Sequence, residues 1–480
     1  IENVQKTLQK PIENVRNHIL KPIENVQNSI FMKRKIYQQL IDWKLVSNGK
    51  SALLIEGARR IGKSYIVEQF AKQEYKSYVL IDFNNVKTEI KNLFLNYLTD
   101  LDTLFQLLSL HTNVQLYPRE SVIIFDEVQQ FPPARAAIKY LVADGRYDYI
   151  ETGSLISIKK NVKNIVIPSE EQHLSMYPMD FEEFLWAMGE HALSNYIREC
   201  FTKRQPVGTL HRKTMELFRL YLIIGGMPQA VSTYIGTHDF RQVESVKQTI
   251  LQLYRSDIHK YATGSETKAA AVFEAIPSQL QLHENRFVLT DLEPTARYRN
   301  YESAFFWLSD SRIVNIAYNT FAPTIGLNMN TERCTLRCYM ADTGLLISLA
   351  FSERGQMPAE VYERLLHDKL EVNLGMVMEN VVAQMLAAAG NRLFFYNHVD
   401  RDDASNDMEI DFLITKSHIT SRKNISPIEV KSSTHFTTTS LNKCMNKFSQ
   451  TIGGAFVLHT NDVKIEGNIS YLPLYMAGLL

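Results

Sequence analysis

In the first third of the chain, short apolar runs alternate with segments whose apolar residues recur at helical spacing. This pattern predicts a parallel β-sheet with helices between its strands. Four consecutive apolar residues, as at 52–55 and 122–125, are enough for a strand that is buried on both faces. Strands and helices alternate in this part, which is typical of an α/β fold with helices on both faces of the sheet. The predicted strands are 52–55, 77–83, 121–125 and 149–154, and the predicted helices are 37–43, 65–71, 90–110 and 134–143.

The pattern becomes mainly helical after about residue 165. Two late helices followed by two strands predict a helix–turn–helix with a wing. Such a module either contacts DNA or packs between domains, and without a dense Lys/Arg face the two alternatives stay equal. A predicted helical region begins at 177, and helices lie on both sides of a predicted turn at Gly225 and Gly226. Further predicted helices are 246–261, 267–282 and 301–308, and the predicted strands are 313–318 and 336–340.

The last part of the chain combines a helix at 374–386 with strands at 392–396, 409–414 and 427–431. The last two strands are predicted to pair as a hairpin. Alternation along a strand puts Glu429 and Lys431 on the same face, and Asp411 can approach them from the neighbouring strand. Two carboxylates and an amine can hold a divalent metal ion and orient a water molecule against a phosphodiester.

Basic residues surround this predicted hairpin and suit a phosphate backbone. They are Lys416, Arg422, Lys423, Lys443 and Lys447. Two alternatives remain open: a charged hairpin held by salt bridges, and a nuclease-like fold that has lost its activity.

Residues 1–31 form a tandem repeat with a period of eleven residues. Pro11 and Pro22 would interrupt a continuous helix once in each repeat. We expect this extension to lie upstream of the true start at Met32 and to take no part in the fold; a short interaction tail is the alternative.

Composition limits the remaining classes of protein. A length of 480 residues predicts about three domains, which we place at 32–205, 206–350 and 351–480. Lys and Arg together number 52, as do Asp and Glu, so any polyanion-binding surface must be local. The four cysteines lack zinc-site spacing, and no apolar run approaches the ~20 residues of a membrane span. We expect a cytoplasmic protein with free thiols and no membrane partner.

The segment 57–64, Gly-Ala-Arg-Arg-Ile-Gly-Lys-Ser, fits the phosphate-binding pattern G-x-x-x-x-G-K-[ST] between a predicted strand and a predicted helix. Its backbone N–H groups and the start of the helix would surround a polyphosphate. Lys63 would contact the β- and γ-phosphates, and Ser64 would bind Mg²⁺. A glycine-rich turn that binds nothing is the alternative. The candidate nucleotide contacts are Gly57, Ala58, Arg59, Arg60, Ile61, Gly62, Lys63, Ser64 and Tyr65.

Two carboxylates, Asp126 and Glu127, follow the buried strand 121–125, at the end where open α/β sheets keep their ligands. In P-loop enzymes the first acid holds Mg²⁺ and the second can polarise the attacking water. Thr152 and Ser154, at the tip of another strand, are candidates to contact the γ-phosphate. Each of them could instead be an ordinary turn or helix-cap residue.

These segments together resemble a prokaryotic family of AAA-type P-loop ATPases with a C-terminal domain of unassigned function. The resemblance covers nearly everything from Met32 onward. It rests on GARRIGKS, IIFDEVQ, ETGS, SMYPMDFEEFL, GGMPQAV, YRSDIHKY, YMADTGLL and EIDF…IEVKSS, in this order. The chain has Arg60 where relatives often have Gln, which we interpret as a tolerated change in the loop.

The resemblance implies an α/β fold with an AAA-type ATPase core, a helical and winged-helix-like middle and a C-terminal domain like the restriction endonucleases. It implies that Lys63 contacts the phosphates and that Ser64 binds magnesium. Asp126 would be the second residue on the magnesium side, and Glu127 would be the catalytic acid. The C-terminal set resembles the PD-(D/E)XK nucleases. It maps to Glu379, Asp411 and Glu429 as ligands of Mg²⁺ or Mn²⁺, with Lys431 beside them.

We therefore expect an ATPase that uses ATP and Mg²⁺, with a metal-dependent nuclease-like domain that acts on or near DNA. The alternative is a nucleotide-regulated binding or signalling module that recognises DNA or a protein partner without cutting. A DNA motor is the least favoured, because helicase motifs are not evident. A trans-acting arginine would imply a homo-oligomer; the candidates are Arg135, Arg255 and Arg312.

Overall fold

The computed structural model describes residues 32–153, 169–282, 286–324, 326–351, 362, 364, 366, 374–400, 402–403, 406–415, 423–433 and 435–480. The repeat at 1–31, Ser154, Lys416 and Arg422 lie outside these residues. Residues 33–480 form one unit.

A five-stranded parallel sheet forms the first part of the unit, in the order β2-β3-β4-β1-β5. Strand β1 is an internal strand, because it pairs with β4 on one side and with β5 on the other. The carboxyl ends of all five strands therefore lie along one edge, where open α/β sheets bind their ligands. The strands are β1 (Ala52–Glu56), β2 (Ser77–Asp82), β3 (Ser121–Asp126), β4 (Asp148–Gly153) and β5 (Glu171–Ser175).

Every residue of β1, β3 and β4 is buried, which confirms the prediction of strands covered on both faces. The predicted stretch 90–110 divides into two helices. Asp100 begins the second by accepting a hydrogen bond from the Thr103 amide at 3.1 Å. The helices of this part are α1 (Ile36–Ser47), α2 (Lys63–Glu74), α3 (Thr88–Asn96), α4 (Leu101–Thr112) and α5 (Pro132–Asp144).

Helices make up the middle of the chain. Asp180 and Glu183 start the first of them with a capping box, in which each side chain bonds the other residue's backbone amide. The helices are α6 (Phe181–Ala187), α7 (His191–Lys203), α8 (His211–Ile224), α9 (Pro228–Thr237), α10 (Phe240–Tyr261), α11 (Glu266–Gln281), α12 (Tyr298–Asp310) and α13 (Thr343–Phe351).

An eight-stranded mixed sheet, in the order β12-β13-β11-β10-β9-β8-β6-β7, contains the predicted hairpin. Its strands are β6 (Val314–Thr320), β7 (Thr331–Met340), β8 (Phe394–His398), β9 (Met408–Thr415), β10 (Ile425–Val430), β11 (Ala455–His459), β12 (Lys464–Glu466) and β13 (Ile469–Pro473). Helices α14 (Leu374–Ala388) and α15 (Thr439–Lys447) belong to the same part of the chain. Strands β9 and β10 are antiparallel partners, as predicted.

The strands predicted as a wing, β6 and β7, belong to this second sheet. They pair with each other, and β6 also pairs with β8 through Tyr318 with Phe394 and Asn319 with Phe395. The sheet therefore runs across the boundary predicted at 350/351, because two of its strands, β6 and β7, come from the middle of the sequence. The middle region and the C-terminal part therefore contribute strands to one sheet.

No helix in the described ranges is long and apolar enough to cross a membrane.

Candidate functional site

The predicted phosphate-binding loop lies between β1 and α2, at the carboxyl edge of the parallel sheet. Gly62 precedes α2 with φ 91°, a left-handed conformation that glycine adopts without strain. At Gly57 a Cβ atom would lie 2.4 Å from the Met176 carbonyl oxygen, so only glycine fits there. Ala58 and Ile61 are buried, whereas Arg60 and Tyr65 are exposed. The loop thus follows the path that its glycine spacing predicts.

The Lys63 side chain is buried inside the loop, with 5% of its surface exposed. Its ammonium donates hydrogen bonds to the carbonyl oxygens of Gly57 and Ala58, both at 2.9 Å. Burial lowers the pKa of Lys63, although Glu127 and Asp126 oppose this effect. A buried cation at the centre of the loop is suited to an anionic ligand, because an opposite charge offsets its desolvation.

Asp126, the last residue of β3, collects two hydroxyl groups. The Ser64 hydroxyl donates to Asp126 Oδ1 at 2.7 Å, and the Thr152 hydroxyl donates to the same oxygen. A hydroxyl next to a carboxylate at a helix start provides the hard oxygen ligands that Mg²⁺ prefers. The residues present therefore fit a magnesium ion at this position.

Glu127 follows with φ 52°, in the left-handed region that costs a non-glycine residue about 1–3 kcal/mol. This conformation turns the chain out of β3 beside Thr152, whose hydroxyl accepts from the Glu127 amide at 3.3 Å. Gln129 donates a hydrogen bond to Glu127 Oε2 and so orients the carboxylate. The left-handed backbone at Glu127 therefore brings its carboxylate close to Lys63 and Asp126.

Helix α10 contacts the predicted phosphate-binding loop next to Glu127. Asp257 pairs with Arg59 of the loop, with 2.7 Å between Oδ1 and Nη1, and the Tyr254 hydroxyl donates to the Arg59 carbonyl at 3.1 Å. Burial raises the pKa of Asp257, and Glu127 adds to the rise, whereas Arg59 opposes it. Arg59, Glu127, Tyr254 and Asp257 line one small cavity. The loop and the helical region therefore meet beside the predicted catalytic acid.

A second cavity, of about 340 Å³, lies on the eight-stranded sheet. Asp411 accepts a hydrogen bond from the Val430 amide at 2.8 Å, which joins β9 to β10. The Lys431 ammonium lies 3.0 Å from Glu429 Oε2. Glu379 of α14 lines the same cavity. The structure thus brings together all four residues predicted for this site: Glu379, Asp411, Glu429 and Lys431.

Arg337 of β7, which belongs to none of the predicted motifs, also lines this cavity. Its Nη2 donates to Glu409, and its Nη1 lies 3.9 Å from Glu379 Oε2 and 3.7 Å from Asp411 Oδ1. Its guanidinium also lies over the ring of Phe395, with 4.7 Å to the centroid. A permanent cation therefore sits among three carboxylates.

Charges in this cavity are largely paired. Burial lowers the pKa of Arg337, but the neighbouring Tyr339, Glu379, Asp411 and Glu409 outweigh it and raise the pKa overall. Burial raises the pKa of Glu429, and Lys431 opposes the rise. Across the described ranges, no three His, Cys, Asp or Glu side chains are arranged to hold a metal ion. The acids predicted as a second metal site do not fit one in this arrangement.

Comparison with known proteins gives a family match for the part of the chain that contains the first of these sites. The model of a family described as an AAA domain matches residues 49–185, which include the loop, β3 and β4. Residues 49–185 match an AAA domain, and we call this segment the AAA domain. Two families described as domains of unknown function match residues 215–356 and 374–476. None of the curated proteins matches the chain.

The similar solved structures include two that match at low identity. The Walker-type ATPase PABY2304 of Pyrococcus abyssi is 15% identical, with 69% of this chain and 98% of that chain covered and a TM-score of 0.41. The ORC2 protein of Aeropyrum pernix is 11% identical, with 72% and 97% covered and a TM-score of 0.35. Both scores are below 0.5, so the assignment of the AAA domain depends on the family match.

The three arginines predicted to act in trans differ in their surroundings. Arg135 of the AAA domain is buried and paired with Glu171 at 2.7 Å, so it cannot reach another subunit. Arg255 pairs with Glu274 at 2.6 Å, and Arg312 donates to the Ser175 hydroxyl at 3.0 Å. The prediction of a trans-acting arginine is thereby reduced to Arg255 and Arg312.

Three residues that support the sites were missed from the sequence. Arg34 donates to the carbonyl of Ile61 in the AAA domain's loop at 2.9 Å, Gln129 orients Glu127, and Arg337 enters the second cavity. Gln129 could have been found, because it lies only two residues after Glu127. Arg34 and Arg337 are distant in sequence from the groups they bind, and no local pattern marks them.

Proposed function

We propose that the protein is an ATP-hydrolysing switch in which the AAA domain binds ATP and passes its nucleotide state to the helical region. The contact of both Ser64 and Thr152 with one oxygen of Asp126, beside the buried Lys63, carries this proposal. Mg²⁺, held by Ser64 and Asp126, would neutralise charge on the phosphates. Lys63 would hold the phosphates in place, and Glu127 would orient the attacking water.

The switch is supported by the contact of the loop with α10. Arg59 bonds Asp257, and Tyr254 bonds the Arg59 carbonyl, so a ligand that moves Arg59 must also change the environment of α10. Helix α10 contacts α11 and α13, and α11 lines the second cavity through Gln279 and Leu280. We propose that the partner of this second part is DNA or another protein and that the protein functions as a homo-oligomer in the cytoplasm.

Two substitutions test the ATPase. Lys63→Ala removes the buried cation, so ATP binding should be lost, whereas Glu127→Gln should bind ATP and hydrolyse it slowly. Lys72→Ala, on the exposed side of the same helix, is the matched control. Binding of a fluorescent ATP analogue and release of phosphate are the measurements. Unchanged binding by Lys63→Ala would refute the proposal, and normal turnover by Glu127→Gln would remove Glu127 from its role.

A second candidate function is metal-dependent cleavage of DNA, for which Glu379, Asp411, Glu429 and Lys431 converge in one cavity. It would require these acids to be released from Arg337, because in the present arrangement they do not fit a metal ion. A cleavage assay with Mg²⁺ or Mn²⁺ that compares the wild type with Asp411→Ala separates it from recognition without cutting. Cleavage that Asp411→Ala abolishes would support a nuclease. Equal results for both proteins, with DNA still bound, would support recognition alone.

A further inference from the structure

The position of Arg337 in the second cavity calls for an explanation beyond ordinary ion pairing. A structural Arg–carboxylate pair is usually bidentate, with N–O distances of about 2.7–2.9 Å. Arg337 makes one such close contact, to Glu409, while its Nη1 stays 3.9 Å from Glu379 and 3.7 Å from Asp411. Its charge is therefore shared among several carboxylates, as the charge of a bound cation would be.

The guanidinium is also deeply buried, with 6% of its surface exposed. Its Nε and Nη1 atoms make no hydrogen bond to the part of the chain that the structure describes. Burying a charge with incomplete hydrogen bonding costs several kcal/mol unless neighbouring charges compensate. Here the compensation comes from Glu379, Glu409 and Asp411 together, so Arg337 and the carboxylates hold one another in the cavity.

We propose that the Arg337 guanidinium is the built-in cation of this cavity and closes it to divalent metal ions. Glu379 and Asp411 are oxygen ligands suited to Mg²⁺ or Mn²⁺. A divalent ion bound between them would lie within a few ångströms of Arg337, and the two like charges would repel. The proposal concerns the cavity of the second candidate function but does not require ATP hydrolysis or DNA cleavage.

Arg337 belongs to the middle family segment, whereas Glu379 and Asp411 belong to the C-terminal one. The cation and the acids thus come from separate parts of the chain and meet because β7 joins the C-terminal sheet. The position of Arg337 among these acids therefore depends on the pairing of β7 with β6 and of β6 with β8.

Binding of Mn²⁺, followed by the electron paramagnetic resonance signal of the free ion, tests the proposal on the full chain without nucleotide. The background is Ser64→Ala with Asp126→Asn, which removes the metal ligands of the AAA domain. In this background Arg337→Met should gain one Mn²⁺ site, about tenfold to a thousandfold tighter than before, since a unit positive charge within about 4 Å is removed. Adding Asp411→Asn should abolish the new site.

Two controls separate charge from general loosening of the sheet. Arg337→Lys keeps the charge and should gain no site. Arg333→Met removes a charge from the exposed start of the same strand and should also gain none. If the Arg337→Met variant does not fold, Arg337→Gln replaces it, because glutamine keeps a hydrogen-bond donor for Glu409. Thermal unfolding shows whether each variant is folded.

Three results would overturn the proposal. The first is Mn²⁺ binding in the unmodified background that Asp411→Asn removes, because Arg337 would then not exclude the metal. The second is the absence of any gain in folded Arg337→Met and Arg337→Gln. The third is an equal gain in Arg333→Met. ATP binding by the otherwise unmodified chain is measured separately, so failure here and failure of the ATPase proposal remain distinguishable.

Discussion

At the scale of single residues, Asp257 places a negative charge beside the loop that is proposed to bind the phosphates of ATP. It lies in one cavity with Arg59 and Glu127, where it pairs with the loop arginine and adds negative charge close to the region proposed for the phosphates. The Arg59 side chain is 42% exposed, so the ion pair itself contributes little to stability. Its effect should be on the ligand, through charge.

We predict that Asp257→Asn binds ATP more tightly than the wild type. Removing the carboxylate abolishes its repulsion of the phosphates and releases Arg59, with a gain of about 1 kcal/mol, or about fivefold in Kd. Calorimetric titration of ATP measures the change. Asp102→Asn is the control, because this acid is 88% exposed and belongs to α4 of the AAA domain. Weaker binding by Asp257→Asn would show that Asp257 orders the loop instead.

At the scale of elements, Asp342 joins the start of α13 to the turn between α8 and α9. Its Oδ1 accepts from the Leu345 amide at 2.9 Å, as an N-cap does, and its Oδ2 accepts from the Gly226 amide at 2.5 Å. The side chain is almost fully buried. One carboxylate thus satisfies the amides of two elements that are far apart in the sequence.

We predict that Asp342→Ala lowers the free energy of unfolding by about 2–4 kcal/mol, the sum of a lost cap and an unsatisfied buried amide. Asp239→Ala is the matched control. Asp239 also caps a helix, by accepting from the Arg241 amide at 2.8 Å, but it is partly exposed, and its loss should cost about 1 kcal/mol. Urea unfolding compares the two. Equal losses would mean that the bond to Gly226 adds nothing.

The elements also show what the sequence can predict. The loop, Lys63, Ser64 and the acids of β3 lie in short contiguous motifs, so their elements and their meeting point follow from local patterns and the geometry of parallel strands. The pairing of β9 with β10 was predictable for the same reason. By contrast, Arg337 meets Glu409 across 72 positions of sequence. That contact depends on β6 pairing with β8, which no local pattern specifies.

At the scale of the whole molecule, the middle region and the C-terminal sheet meet at His211, which starts α8. The His211 Nε2 lies 3.0 Å from the Thr460 carbonyl, and Asp462 accepts hydrogen bonds from the amides of Val207 and Gly208. His459, at the end of β11, is buried close by, and its Nδ1 accepts from the Asn461 amide at 3.0 Å. Burial, together with the nearby His211, lowers the pKa of His459 to about 4.

This lowered pKa makes the stability of the molecule depend on pH. The imidazole of an unfolded chain has a pKa of 6.5, so below that pH the unfolded state takes up a proton that folded His459 does not bind. The free energy of unfolding should therefore decrease as the pH falls from 6.5 towards 4, by up to about 3 kcal/mol from this residue. Above pH 6.5 His459 is neutral in both states and contributes no slope.

His459→Gln isolates this contribution, because glutamine can still accept the Asn461 hydrogen bond but has no proton to gain. Urea unfolding of the wild type and the variant at several pH values between 4 and 7 gives the difference in stability. We expect this difference to move in favour of the variant as the pH falls. A difference that stays constant would mean that folded His459 titrates as in the unfolded chain, and the junction of the two regions would then admit water.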